Sequence, residues 1–152
     1  MALLSDKDAT YLREVFAQQL PNPVTVTLFT QKSTLLTVPG HEQEAEYCRQ
    51  ANEIVQEVAA LTDQITVETY DIRADAAQFA AYGIERIPAI LIGSGDDRPA
   101  RFFGVTAGYE FSTFVQDLLD ISNSNIELSE ATLEYVRGLT SDVHIQVFST
   151  PT

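Results

Sequence analysis

Cys48 is the only cysteine in the chain and the side chain best suited to chemistry. It follows a predicted strand at residues 24–29 and lies on a predicted helix at residues 45–61. Further along, Ile87-Pro88 enters the next apolar strand. A strand, a cysteine in the first turns of a helix and an X-Pro pair before a core strand together form the arrangement of a thiol–disulfide exchange site.

The second sulfur of such a site is missing. Exchange by a dithiol needs one sulfur to attack and another to resolve the mixed disulfide. The position three residues before Cys48 holds Ala45. The chain therefore offers a redox centre with one sulfur, the remnant of a dithiol centre, or a coincidence of spacing.

The surroundings of Cys48 favour a structural role. The positive end of a helix dipole stabilises a thiolate, and Arg49 is adjacent, but Glu42, Glu44 and Glu46 oppose a negative charge there. Cys48 also shares the apolar stripe of its helix, where a free cysteine behaves as a small core hydrophobe. We favour this structural interpretation. The alternative is monothiol exchange, in which glutathione or a protein thiol acts as co-substrate.

Composition narrows the class of protein. Twenty-two acidic and 9 basic residues give a net charge of −13, which repels nucleic acid and anionic membrane surfaces. Two histidines and one cysteine make no convincing metal site. The first residues lack the basic region of a signal peptide, and no apolar stretch is long enough to cross a membrane. We expect a cytoplasmic protein without metal or bound cofactor.

The element order predicts an α/β fold. Hydrophobic periodicity and turn residues give the order α-β-α-β-α-β-β-α, followed by an extra helix and a strand. A strand-helix-strand unit joined to a hairpin and a closing helix forms a mixed four-stranded sheet with helices on both faces. The most continuous apolar run, at residues 88–92, predicts a strand covered on both faces.

The last part of the chain is set apart from this unit. We place one domain at residues 1–122 and a C-terminal helix and strand at residues 123–152. The strand, at residues 143–148, has no partner after it in the sequence. An unpaired apolar strand is an aggregation hazard, so we expect it to pair in a homodimer or against a sheet edge.

Several stretches together resemble a known family. They include residues 24–29, Tyr47-Cys48 with the following helix, residues 84–92 and residues 101–122. The order resembles the thioredoxin fold. The details are similar to the amino-terminal unit of glutaredoxin-like protein disulfide oxidoreductases and, more distantly, to the amino-terminal region of the alkyl hydroperoxide reductase flavoprotein.

The resemblance implies roles for individual residues. Cys48 takes the second position of a C-x-x-C motif, and Ala45 replaces the nucleophilic first cysteine. Tyr47, Ile87 and Pro88 take substrate-binding positions, with Pro88 in the cis form and Ile87 presenting its backbone to an extended peptide. The resemblance also implies that a second thioredoxin-like unit, with a C-P-x-C motif, follows Thr152.

Two functions follow from these expectations. The first is a domain of a thiol–disulfide oxidoreductase with the degenerate motif Ala45-Glu46-Tyr47-Cys48, acting on protein thiols and disulfides and weak or inactive alone. The second is a non-catalytic module that binds a peptide or protein through the backbone near Pro88 and the acidic loop at residues 30–43.

Overall fold

The computed structural model describes residues 3–32, 42–93, 99–124 and 128–148 of the chain. Most of the predicted acidic loop, the turn at residues 94–98 and the final residues 149–152 lie outside these ranges. Within them the elements are, in chain order, α1 (Asp6–Gln19), β1 (Val24–Thr30), α2 (Glu42–Ala59), β2 (Ile65–Asp71), α3 (Ala76–Tyr82), β3 (Ala89–Gly93), β4 (Ala100–Phe103), α4 (Tyr109–Asn123) and α5 (Glu130–Arg137).

The predicted mixed four-stranded sheet is confirmed, with the strand order β2-β1-β3-β4. β1 pairs with β2 in parallel and with β3 antiparallel, and β3 pairs antiparallel with β4. β1, β2 and β4 therefore all finish at one end of the sheet, at Thr30, Asp71 and Phe103, where β3 begins. We call this the carboxyl end of the sheet.

Alternation along β1 divides the core between the two faces of the sheet. Val24, Val26 and Leu28 belong to a large cluster with apolar side chains of α1, α2 and α4. Phe29 faces the other way, into a smaller cluster beneath α3, where its ring lies 4.9 Å from that of Phe79 in an edge-to-face arrangement. Helices thus cover both faces, as the element order predicts.

Local capping signals locate several helix ends correctly. The Ser5 hydroxyl accepts a hydrogen bond from Asp8 N–H at 3.1 Å at the start of α1. Gly83 follows α3 with φ of 63°, a conformation that glycine adopts without steric cost. Ser129 caps α5 by accepting from Thr132 N–H at 3.2 Å.

The start of α2 differs from the prediction. The helix begins at Glu42, whereas the apolar stripe places its start at Ala45. Glu42, Gln43 and Glu44 carry no apolar periodicity, but they are good helix formers, and acidic side chains are stabilised near a helix N-terminus. The added turn moves Cys48 away from the start of the helix.

The predicted strand at residues 143–148 is wrong. These described residues form no strand, and the side chains of Val143, Ile145 and Val147 are 58%, 81% and 85% exposed. Alternation gives a segment one apolar side, but a strand forms only when its N–H and C=O groups find a neighbouring strand. Among the described residues, none lies beside this segment as a partner strand.

Hydrogen bonds to Asp71 stabilise the carboxyl end of the sheet. Its side chain is buried, and its carboxylate accepts from the backbone N–H groups of Lys32 at 2.7 Å and Arg73 at 2.8 Å. Its own N–H donates to the Asp75 carboxylate at 2.7 Å. The hydrogen bond from Lys32 N–H is the main cause that lowers the pKa of Asp71, and burial opposes it. These bonds hold the end of β1 against the turn that leads to α3.

We expect Asp71→Asn to lower the free energy of unfolding by about 1–3 kcal/mol at neutral pH, because buried N–H groups lose a charged acceptor. The folded-state pKa of Asp71 lies below its ordinary value of 3.8. The stabilisation is therefore complete above that value and is lost as the pH falls through the folded-state pKa. Urea unfolding should give the same difference from the original protein at pH 6 and pH 7, and a smaller one at pH 3.

Asp63→Asn is the matched control, because Asp63 is exposed. It should change the free energy of unfolding by less than about 0.5 kcal/mol at each pH. A difference for Asp71→Asn that stayed constant down to pH 2.5 would contradict the electrostatic explanation.

Candidate thiol–disulfide site

The predicted site residues belong to segments that meet at the carboxyl end of the sheet. β1 finishes there, and α2 begins on the same side because it crosses back to the start of the parallel strand β2. Ile87-Pro88 enters β3 at this end, and the Ile87–Pro88 peptide bond is cis. The Pro88 carbonyl accepts from Gly104 N–H at 2.9 Å, which joins this turn to the segment after β4.

Cys48 lies inside α2 and inside the core. It is the seventh residue of the helix counted from Glu42, and 1% of its surface is exposed. Ala51 and Val55, one and two turns further along the same side of α2, are also buried. The effect of a helix dipole falls off within the first turn, so the helix terminus gives Cys48 little of the activation that the predicted helix start implied.

Arg49 does not supply the positive charge that Cys48 would need. Its guanidinium donates to the carboxylates of Glu46 and Glu53 on the outer side of α2, where about half of the Arg49 side chain is exposed. The hydrogen bond from Arg49 is also the main cause that lowers the pKa of Glu46. The arginine is therefore paired with carboxylates at the surface, while Cys48 faces the core.

Ala45 and Tyr47 lie on the same helix in different surroundings. Ala45 is half-buried, three residues before Cys48, so the two positions share one side of α2. Tyr47 is 42% exposed, and its hydroxyl accepts from Gln43 Nε2 at 2.7 Å. Tyr47 is thus hydrogen-bonded to a neighbour on its own helix and partly exposed to solvent.

Ile87 offers unused backbone groups. Its half-buried side chain packs against the cluster around Phe29, which fixes the turn before β3. Among the residues that the structure describes, its N–H and C=O have no hydrogen-bond partner. Because an extended peptide binds to a protein through such groups, Ile87 is equipped for strand addition.

Two buried hydroxyls at the site were missed by the sequence interpretation. Thr30 at the end of β1 and Thr106 after β4 are 4% and 1% exposed, and their Oγ1 atoms have no hydrogen-bond partner in the described part of the chain. A buried hydroxyl without a partner is costly, so such groups are rare. Both threonines fit ordinary strand and loop patterns, so only the packing of separate segments identifies them.

Metal chemistry has no support in the described residues. No group of three or more His, Cys, Asp or Glu side chains lies close enough in these ranges to hold a metal ion. No helix in the same ranges is long and apolar enough to cross a membrane.

The architecture is that of the thioredoxin-like proteins, as the sequence resemblance predicts. A protein disulfide oxidoreductase from Aeropyrum pernix K1 matches 89% of this chain and 55% of its own, at a TM-score of 0.71 and 24% identity. The N-terminal domain of the alkyl hydroperoxide reductase AhpF from Enterococcus faecalis matches 88% of this chain and 59% of its own, at a TM-score of 0.69 and 21% identity.

At these identities the likeness establishes the fold. No family model and no curated protein matches the chain. The chain spans little more than half the length of the two structures, so their complete chains contain more than this fold unit.

The burial of Cys48 predicts slow labelling in the native state. We expect a thiol reagent such as Ellman's reagent to modify native Cys48 at least about 100-fold more slowly than the same residue in 6 M urea, because the helix must open first. The control is a Cys48→Ala, Gln18→Cys variant, which gives the labelling rate of an exposed thiol because Gln18 is exposed on α1. If native Cys48 were labelled as fast as this exposed thiol, the buried position would be contradicted.

Proposed function

We propose that the chain is a thioredoxin-like domain of a thiol–disulfide oxidoreductase whose own motif, Ala45-Glu46-Tyr47-Cys48, is degenerate, so that it exchanges disulfides weakly or not at all alone. The observation that carries the proposal is the position of Cys48. It is the only sulfur of the motif, it is 1% exposed, and it lies inside α2. Exchange requires direct access of one sulfur to another, which this position denies.

The proposal assigns the exchange step to a second thioredoxin-like unit. The likeness to part of a protein disulfide oxidoreductase supports this division of roles, because this chain matches 55% of that structure. The clients are then protein or peptide thiols and disulfides. No metal or bound cofactor is required, and glutathione enters only as the co-substrate of a monothiol reaction at Cys48.

A second candidate function is client binding without catalysis. The observation that favours it is the backbone of Ile87, whose N–H and C=O are unpaired within the described residues beside Pro88. A peptide laid against this turn would gain main-chain hydrogen bonds without any reactive sulfur. This role is compatible with the first proposal, because binding through the backbone of Ile87 does not require a reactive thiol.

Insulin reduction by dithiothreitol tests the degenerate motif. We expect the original chain to add nothing to the rate of dithiothreitol alone, because Cys48 cannot reach a client disulfide and has no partner sulfur. We expect Ala45→Cys to raise the rate at least about tenfold over the original chain. Positions 45 and 48 lie one helical turn apart, within the span that a disulfide bridges.

The expected reaction of this variant uses both sulfurs. The introduced thiolate attacks one sulfur of the client disulfide and expels the other as a thiolate. Cys48 then attacks the mixed disulfide, which releases the client as a dithiol and leaves a disulfide within the domain that dithiothreitol reduces. Ala45→Cys combined with Cys48→Ser is the control and should turn over more slowly than Ala45→Cys, because each mixed disulfide must then wait for dithiothreitol to resolve it. Robust turnover by the original chain would refute the proposal.

Client binding at Ile87 predicts a local change in the amide spectrum. Titration with an unfolded, carboxymethylated peptide should shift the amide signals of Ile87, Ala89 and Gly104, because these groups surround Pro88 at the carboxyl end of the sheet. The same peptide with N-methylated backbone amides should bind at least about tenfold more weakly, because methylation keeps the side chains but removes the backbone N–H donors. Unchanged signals at these three residues would exclude this binding mode.

A further inference from the structure

A groove between α1, α2 and α4 has an apolar floor. Its volume is about 640 Å³, within the range of about 300–1,000 Å³ that binding sites for small ligands have. The side chains that form the floor are those of Leu12, Val15, Ile54, Val115 and Leu119. All five belong to the large core cluster or pack against it. The core therefore fixes the floor, and the groove exists before any ligand binds.

The residues before α1 form one wall of the groove. Leu3 and Leu4 line it, and the Glu57 carboxylate on α2 accepts from both of their backbone N–H groups. The distances are 2.8 Å and 2.9 Å from Leu3 N to the two carboxylate oxygens and 2.8 Å from Leu4 N. Hydrogen bonds to an ionised acceptor are stronger than those between neutral groups. Because this wall is fixed to α2, little affinity is lost to ordering it when a ligand binds.

The two glutamines on α2 and α4 that line the groove offer hydrogen-bond acceptors to a ligand. Gln50 Nε2 donates to the Glu46 carboxylate at 2.7 Å, and Gln116 Nε2 donates to the Asp120 carboxylate at 2.9 Å. Because a carboxylate only accepts, these bonds fix which end of each amide is already used. The Oε1 atoms of both glutamines accept no hydrogen bond from the described residues. A ligand that satisfies these oxygens must bring donors.

The charge at the groove favours a cation. Asp8 is the one charged residue among the described residues that line it. One oxygen of the Asp8 carboxylate accepts from the Ser5 hydroxyl at 2.6 Å, and the other has no hydrogen-bond partner in the described part of the chain. Tyr11 also lines the groove, and its 65% exposed ring offers a face that attracts a cation. The net charge of −13 adds to this preference and repels an anion.

We propose that this groove binds a small amphiphile with an ammonium head and an apolar tail. The tail lies along the floor, and the head donates to the Asp8 carboxylate at the edge. The lining residues of α1 run from Asp8 to Gln19, about 16 Å along the helix, which is long enough for a chain of about eight carbons. Neither Ile87 nor Pro88 lines the groove. The site is thus separate from the proposed client-binding turn and does not rest on thiol chemistry.

Three probes with the same eight-carbon tail test the ligand class on the full chain. At neutral pH octylammonium is a cation, 1-octanol is neutral and octanoate is an anion. The methyl NMR signals of Leu12, Val15, Ile54 and Val115 report binding, because these side chains line the groove. We expect octylammonium to bind with a dissociation constant below about 1 mM. Octanol should bind about three- to tenfold more weakly, and octanoate at least about thirtyfold more weakly.

Two substitutions in the first turn of α1 separate the role of Asp8 from that of the net charge. Asp8→Asn should weaken octylammonium binding at least about threefold and change octanol binding less than about twofold, because only the charge is removed. Asparagine keeps an oxygen for the Ser5 hydroxyl, so the start of the helix is preserved. Asp6→Asn is the matched control, because Asp6 is exposed in the same turn but does not line the groove. It should leave the affinity for each probe within about twofold.

A second pair of substitutions on α4 tests where the tail binds. Ser112 and Thr113 are both exposed, but only Ser112 lines the groove. Ser112→Phe should weaken octylammonium and octanol binding at least about fivefold, because the added ring takes the space of the tail. Thr113→Phe adds the same ring outside the groove and should leave both affinities within about twofold.

The outcomes that would overturn the proposal are distinct. Equal binding of the three probes would show that the groove selects apolar bulk alone, as a docking site for a polypeptide segment does. Tighter binding of octanoate would reverse the charge preference. Unchanged octylammonium binding in both Asp8→Asn and Ser112→Phe, or no methyl shifts with octylammonium at all, would place the ligand elsewhere or exclude it.

Discussion

β1 is hydrogen-bonded on both sides and buried on both faces, and the positions of the other elements follow from this constraint. Its parallel pairing with β2 forces the chain to cross the sheet through α2, and its antiparallel pairing with β3 brings Ile87-Pro88 to the end of the sheet where β1 finishes. Alternation along β1 then decides which helices can pack on each face. The position of the candidate site therefore follows from the pairing of β1 and does not depend on which side chains lie there.

The fold is thioredoxin-like, whereas the surroundings of Cys48 do not favour a reactive thiol. The Pro88 carbonyl is bonded to Gly104 N–H, and the backbone groups of Ile87 are unpaired within the described residues. Against this, Cys48 lies more than one turn inside α2, and Arg49 is paired with carboxylates at the surface. The unpaired backbone at Ile87 follows from how the sheet is paired, whereas a reactive thiol depends on a few side chains near a helix terminus. One or two substitutions can therefore change the thiol without changing the backbone.

Sequence patterns predicted the features that depend on neighbouring residues. The apolar stripe of α2 correctly indicated that Cys48 faces the core, and the continuous run before Gly93 correctly indicated a strand buried on both faces. Features that depend on distant residues were missed. Alternation at residues 143–148 cannot show whether a partner strand exists, and nothing near Asp71 in sequence shows that Lys32 N–H will reach its carboxylate.

The helix α2 was predicted correctly, but its start was predicted one helical turn too late. The glutamates before Ala45 are good helix formers, but the absence of apolar periodicity and the preceding loop signals favoured a later start. The difference is one helical turn, and it has a chemical consequence because the influence of a helix terminus is short-ranged. A boundary error that would not matter in the middle of a fold changes the interpretation of Cys48, because the expected activation depended on its distance from the end of the helix.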